Sequence, residues 1–291
     1  MKKIFAILLA MIFVIGIFAG CSETKKDVNA NNKNSTEPSS TGETTVPDNS
    51  NDEGENENDT ADYNTVIDGK LTMATNAFFR PYEYYEGDKI VGIDAEIAEA
   101  IANKLGLELV INNMEFNSII TAVTSGAADF GLAGMTITED RLLEVDFSIS
   151  YASGVQAIIV PAGSPITHVD DLYAEGVSYK VGVQLGTTGD IYASDDFGAD
   201  RVTQYNNGNE AVLALQNGDI DCIIIDNEPA KAFVAANEGL TILDTTYADE
   251  DYAACFAQEN DALREAVNAA IEELIMDGTI DAIIEKYIPA N

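Results

Sequence analysis

The chain of 291 residues has no tryptophan, one histidine, three cysteines, and only 15 lysines and arginines against 50 aspartates and glutamates. Each shortage removes a class of function. A net charge of −35 repels phosphates, which excludes nucleic-acid binding and disfavours contact with anionic lipid surfaces. Histidine-dependent chemistry would have to rest on His168 alone, in a loop after Pro165. Cys21, Cys222 and Cys255 fit no metal-ligand spacing and no disulfide framework. Buried free thiols are expected for Cys222, inside an apolar run, and for Cys255, with a pairing between them left open. No nucleophile–base pair and no ligand cluster stands out, so neither a metal nor a cofactor is expected.

The length is enough for a large core and two domains. Residues 1–20 read as a targeting leader: Lys2 and Lys3 give the positive start and Ile4 to Phe18 the apolar stretch. That stretch is shorter than the roughly 20 residues a membrane span needs. It closes as Phe18-Ala19-Gly20-Cys21, which resembles a bacterial lipobox. The resemblance implies cleavage before Cys21 and a lipid on its sulfur, with Phe18 standing where leucine is usual. Residues 21–64 are rich in Ser, Thr, Asn, Asp, Glu and Gly, a composition that cannot bury enough surface to order itself. As a flexible coil, about 43 such residues reach roughly 35–40 Å, so the segment reads as an acidic tether.

From Val66 onward the pattern is α/β. Leu71 to Thr75 reads as a strand, followed by an aromatic loop and a hairpin around Glu86-Gly87-Asp88. Ile93, Ile97, Ile101 and Leu105 recur at helical spacing up to Gly106. Strand and helix signals then alternate, which predicts parallel sheet. Two helices, Asp261 to Met276 and Thr279 to Tyr287, close the chain.

One stretch organises the rest. The apolar run Phe130-Gly131-Leu132-Ala133 ends at Gly134, and Thr138 with Glu139 and Asp140 signals a helix start. Arg141 is then expected in the first turn of a helix just past a strand end, where open α/β sheets place ligands. Its planar fork of donors suits a carboxylate. The bland alternative is that Arg141 pairs with Asp140 or Glu144.

Pro81-Tyr82-Glu83, Val91-Gly92-Ile93-Asp94, Gly134 through Arg141, Phe147-Ser148 and Gly186-Thr187-Thr188 occur in order and at matching spacing. Together they resemble the amino-acid-binding members of the bacterial solute-binding proteins, family 3, which serve ABC importers. The resemblance covers nearly all of residues 66–291. It implies a two-lobe periplasmic-binding-protein fold of type II, each lobe a mostly parallel sheet flanked by helices. Lobe 1 is expected to be discontinuous, residues 66–153 plus 257–291, with lobe 2 at 158–251. Two crossover strands, near Gly154 to Ala157 and Ala253 to Phe256, would form the hinge.

The same resemblance implies the site. Arg141 takes an amino acid's carboxylate, with the backbone N–H groups of Thr136 and Thr188. Asp226 takes the ammonium, helped by the Gly134 carbonyl and the Thr136 hydroxyl. Phe79 and Phe116 sandwich the side chain, and Asn76, Phe79, Arg80, Gln184 and Glu228 reach its variable end. Asn76, where cation-preferring members carry an acid, favours a neutral polar ligand such as glutamine or cystine. Each residue has a bland alternative: Phe79 and Phe116 as core, Asp226 and Thr188 as helix caps. The implied protein is a monomer held by Cys21 on the outer face of the cytoplasmic membrane, partnered by an ABC permease. Rival readings are an enzyme on the same scaffold, such as a cyclohexadienyl-dehydratase-like protein using Glu83 or Glu228, and a ligand-sensing module.

Overall fold

The computed structural model describes residues 63–289. The expected leader, Cys21 and all but the last two residues of the tether lie outside the described residues. Lys70–Thr75 (β1) is buried from Leu71 to its end, as a strand covered on both faces should be. Phe78–Phe79 (β2), Glu83–Glu86 (β3) and Lys89–Val91 (β4) form a small antiparallel sheet. Ile93–Leu105 (α1) buries Ile93, Ile97 and Ile101 along one face and stops at Gly106, whose left-handed φ of 70° favours glycine. Glu108–Asn113 (β5) pairs parallel to β1; Ile119–Thr124 (α2) then leads to Phe130–Gly131 (β6), parallel to β1 on its other side. Val145–Phe147 (β7) ends this half.

The ten-residue strand Ala152–Pro161 (β8) carries the chain onward. Val181–Gln184 (β9), Thr188–Phe197 (α3), Val202–Tyr205 (β10), Gly208–Asn217 (α4), Cys222–Asp226 (β11), Asn227–Ala236 (α5) and Leu240–Ile242 (β12) follow. Ala248–Tyr252 (β13) and Cys255–Ala257 (β14) lead back to Asp261–Met276 (α6) and Thr279–Tyr287 (α7).

Two sheets result. The first runs β5-β1-β6-β14-β7, and the second β10-β9-β11-β8-β12 with β13 also on β8. Each is packed on both faces. In β11, Ile223 and Ile225 join one apolar cluster with Leu215 of α4 and Ala230 of α5, while Cys222 and Ile224 join another with Val183 and Ala193. That two-residue alternation is the pleat made visible. In the first sheet, α1 and α6 cover one face through Ile97, Ile101, Leu263 and Ile271, and α2 covers the other through Ile119 and Val123. Each such isoleucine or leucine, fully buried, contributes roughly 1.5–3 kcal/mol.

The connection between the sheets differs from expectation in one place. The second crossing is expected at Ala253 to Phe256. Instead β13 pairs antiparallel with the start of β8, Ala152 opposite Tyr252 through Gln156 opposite Ala248. Cys255 already sits in the first sheet, opposite Gly131 and Phe147. The paired crossing is therefore 152–156 with 248–252. The acidic Asp249-Glu250-Asp251 interrupts any apolar pattern, which hides the strand from local reading. Among the described residues, Cys222 and Cys255 are both buried and free.

Candidate functional site

Four strand ends face one cavity. β1 ends at Thr75 and delivers Asn76; β6 ends at Gly131 and delivers Ala133 and Gly134; β9 ends in Gln184; β11 ends in Asp226. Ligands collect at such carboxyl ends in open α/β sheets. Nine of the residues singled out from the sequence line this one cavity: Asn76, Phe79, Phe116, Gly134, Thr136, Arg141, Gln184, Thr188 and Asp226. Arg80 and Glu228 do not; Arg80 lines a separate pocket with Tyr84 and Phe233.

Arg141 is 6% exposed. The helix predicted around it is only a single 3-10 turn, Arg141–Leu143, because β7 begins two residues later. Thr138 does stabilise the turn, its hydroxyl oxygen accepting from the Arg141 N–H at 3.2 Å. The guanidinium ignores Asp140 and Glu144. It donates to the carbonyl of Thr136 at 2.7 Å and to that of Gly186, in the second sheet's half, at 3.0 Å. The Phe116 ring centroid lies 5.5 Å from its central carbon. Burial lowers its pKa from the ordinary value, while the charge of Glu250 pulls the other way.

Asp226 is 1% exposed and does two jobs at once. One oxygen accepts from the Glu228 N–H at 3.1 Å, capping α5, and the other accepts from the Tyr252 hydroxyl. So the cap reading and the site reading are not rivals. Burial pushes its carboxyl up to about 7; the Tyr252 and Glu228 donors pull it down, and the charges of Glu250 and Glu228 push it up.

Thr136 forms an antiparallel bridge with Tyr252, flanked by bonds from Ile137 N to Asp251 O and from Ala253 N to Met135 O. That register turns Thr136's own N–H and C=O away from the partner strand. Its hydroxyl lies 3.5 Å from that of Thr188. The cap of α3 is Thr187, not Thr188; Thr187 accepts from the Asp190 N–H, which leaves the Thr188 side chain to the cavity. Gly134 has φ of 52°, and a Cβ there would sit 2.9 Å from Phe79. At the far end, Asn76 donates to the Met114 carbonyl at 2.7 Å and accepts from Gln184 at 3.0 Å.

Several lining residues escaped the sequence reading: Gln156, Thr187, Glu250 and Tyr252. Glu83, named from the sequence only as a catalytic acid of the rival enzyme reading, also lines the cavity. It is fully buried, and burial first, then neighbouring Asp94, pushes its carboxyl well above the usual range. Asp94 is pushed up to about 6 by burial, against hydrogen bonds from Gly134 and Tyr151. It accepts from the Gly134 N–H at 2.7 Å and the Tyr151 hydroxyl at 2.9 Å. Asp94 therefore props the Gly134 loop from below. Gln156 donates to Glu250 at 2.9 Å, linking the two crossing strands on the cavity side.

A family model described as bacterial extracellular solute-binding proteins, family 3, matches residues 71–290. The chain belongs to this family. As a family 3 solute-binding protein it is a binding protein, not an enzyme, working on the outer side of the cytoplasmic membrane. The arginine-binding extracellular protein ArtP of Bacillus subtilis (strain 168) is 32% identical over 223 residues, covering 75% of this chain and 86% of ArtP. An ancestral arginine-binding protein solved bound to glutamine is 38% identical with a TM-score of 0.72, covering 77% of this chain and 100% of that one. An ancestral arginine-binding protein bound to arginine is 39% identical with a TM-score of 0.70, over 75% and 98%. Among the described residues, no group of His, Cys, Asp and Glu is arranged to hold a metal ion, and no helix is long and apolar enough to cross a membrane.

Proposed function

We propose that this family 3 protein captures a free polar L-amino acid between its two halves and delivers it to an ABC permease. The observation that carries this reading is a buried cation, Arg141, and a buried anion, Asp226, lining one cavity, the first from a turn between strands of the first sheet and the second from a strand end of the other. A charge taken out of water costs several kcal/mol unless paired, and a zwitterion pairs both. The carboxylate goes to Arg141 with the N–H groups of Thr136 and Thr188; the latter lies at a helix start, which favours anions. The ammonium goes to Asp226, the Gly134 carbonyl and the Thr136 hydroxyl. Phe79 and Phe116 flank the side chain.

The side-chain end carries the amides of Asn76 and Gln184, donors and acceptors without charge, which favours a neutral polar ligand such as glutamine. One observation favours a second ligand class: Glu83, Asp226 and Glu250 line the cavity against Arg141 alone, a balance that suits a cationic side chain. The arginine-binding relatives point the same way, although an ancestral arginine-binding protein also holds glutamine.

The lobes, 66–153 plus 257–291 and 158–251 in the expected division, close by bending at the paired strands β8 and β13. The protein acts as a monomer, tethered to the membrane by residues 21–64 and a lipid on Cys21. A thermal-shift screen against the common amino acids and cystine tests the reading. A ligand at a hundred times its Kd adds about 2.7 kcal/mol to stability. Glutamine or cystine giving the largest rise supports the neutral reading, and arginine the cationic one. No shift with any amino acid overturns both.

A further inference from the structure

Three strands meet beside Asp226 in a fixed register. β8 lies between β11 and β13, with Gln156 opposite Asp226 and Ala152 opposite Tyr252. Directly opposed residues share a face, and so do residues two apart. Asp226 and Tyr252 therefore sit diagonally across the same face, with Gly154 between them. Because Gly154 has no side chain, the Tyr252 hydroxyl crosses over it and reaches Asp226. A Cβ at 154 would fall on the Tyr252 hydroxyl and lie 2.5 Å from Asp226 Oδ2. Gly154 has no positive φ, so backbone freedom does not explain it; the need for an empty space does.

Tyr252 is itself immobilised. It is 1% exposed, its ring meets Tyr82 edge-on at 5.3 Å, and Tyr82 stacks on Phe79 at 5.7 Å. The hydroxyl is thus aimed from a rigid aromatic column that also supports a wall of the cavity.

We infer that Tyr252 is a positioning residue for the ligand's ammonium: its hydroxyl holds Asp226 aimed and charged, and Gly154 is bare so that this bond can form. The inference rests on the reading of Asp226 as the ammonium's partner. Its physical basis is the company Asp226 keeps. Glu228 of α5, Glu250 of β13, Glu83 of β3 and the Tyr82 phenol all face it, and none carries a positive charge. The charges of Glu250 and Glu228 oppose its ionisation. Two donors favour it, the Glu228 N–H at the start of α5 and the Tyr252 hydroxyl. Removing one of two donors from a buried carboxylate leaves it easier to protonate. A protonated Asp226 is a poor partner for an ammonium.

The test is Tyr252→Phe, which keeps the ring and deletes the hydroxyl. The Asp226 side-chain carbon is followed by carbon NMR in the protein without added ligand, from about pH 5 to about pH 9, with Asp226→Asn identifying the signal. The midpoint is expected to rise by about one pH unit in Tyr252→Phe, and Gly154→Ala, which displaces the hydroxyl sterically, should move it the same way. An unchanged midpoint in a folded Tyr252→Phe overturns the inference. If that variant does not fold, Gly154→Ala decides by the same reading.

Calorimetric titration with L-glutamine and L-arginine supplies the second arm. Affinity in Tyr252→Phe should fall about fivefold near pH 7 and recover by about pH 9, whereas a structural role alone would lower it equally at every pH. Asp226→Asn separates the two claims. Unchanged affinity in that variant overturns the site reading and leaves the NMR midpoint to judge Tyr252; lost affinity with an unmoved Tyr252→Phe midpoint overturns only the positioning role.

Discussion

The two poles of the cavity are built on opposite plans. Arg141 lies in a short turn and is held by neutral carbonyls, those of Thr136 and Gly186. A guanidinium keeps its charge under any ordinary condition, so that pole is permanent. Asp226 stands at a strand end among other acids and is held by two donors. With its carboxyl pushed up to about 7, that pole is conditional on pH. The difference teaches that grip on a carboxylate is a matter of geometry here, while grip on an ammonium is also a matter of proton balance.

The bluntest way to break the comparison is to remove the permanent pole. Arg141→Ala should cost about 2–5 kcal/mol of amino-acid affinity, much of it from the ligand charge left unpaired, while circular dichroism stays that of the folded protein. Titration calorimetry checks it, and an unchanged affinity would deny Arg141 its role.

Removing the conditional pole should give a divided result. Between about pH 4 and pH 7 the folded protein keeps a proton on Asp226 that the unfolded chain has already lost. The contribution of Asp226 to stability without ligand therefore declines as pH rises through that window and is flat outside it. Asp226→Asn should abolish this part of the slope and stabilise the protein above neutral pH by about 2–4 kcal/mol, while losing ligand. Chemical denaturation at several pH values measures it. An equally sloped variant would mean that Asp94, with its carboxyl pushed up to about 6, or another group carries the dependence.

Gly134→Ala sharpens the contrast at the ammonium side. A left-handed φ and the nearby Phe79 ring should together cost about 1–3 kcal/mol of stability. Asn76→Asp is the mildest change: it should shift preference towards arginine over glutamine by about tenfold, near 1.4 kcal/mol, read as a ratio of affinities.

What could be read from the chain followed from how local each signal is. The limits of α6 and α7 are punctuated by glycines, caps and period, and match the sequence expectation. Gly134, Thr136, Arg141 and Thr188 came from ordered motifs, and Asn76, Phe79, Phe116, Gln184 and Asp226 from the family resemblance those motifs carry. Tyr252, Glu250 and Gln156 came from no local signal. Their place depends on pairing residues 152–156 with 248–252, a register set about a hundred positions apart and masked by three consecutive acids. The turn at Arg141 was overread as a helix because a good capping threonine says where a turn begins, not how soon the next strand cuts it short.

The two sealed cysteines have a practical consequence. Cys222 and Cys255 are shut inside the two sheets with thiols pushed up to about 12, so neither offers a thiolate to an alkylating reagent in the folded protein. A fluorophore attached through a cysteine introduced at the cleft rim would meet no competition from either, and its emission could follow capture and release in real time.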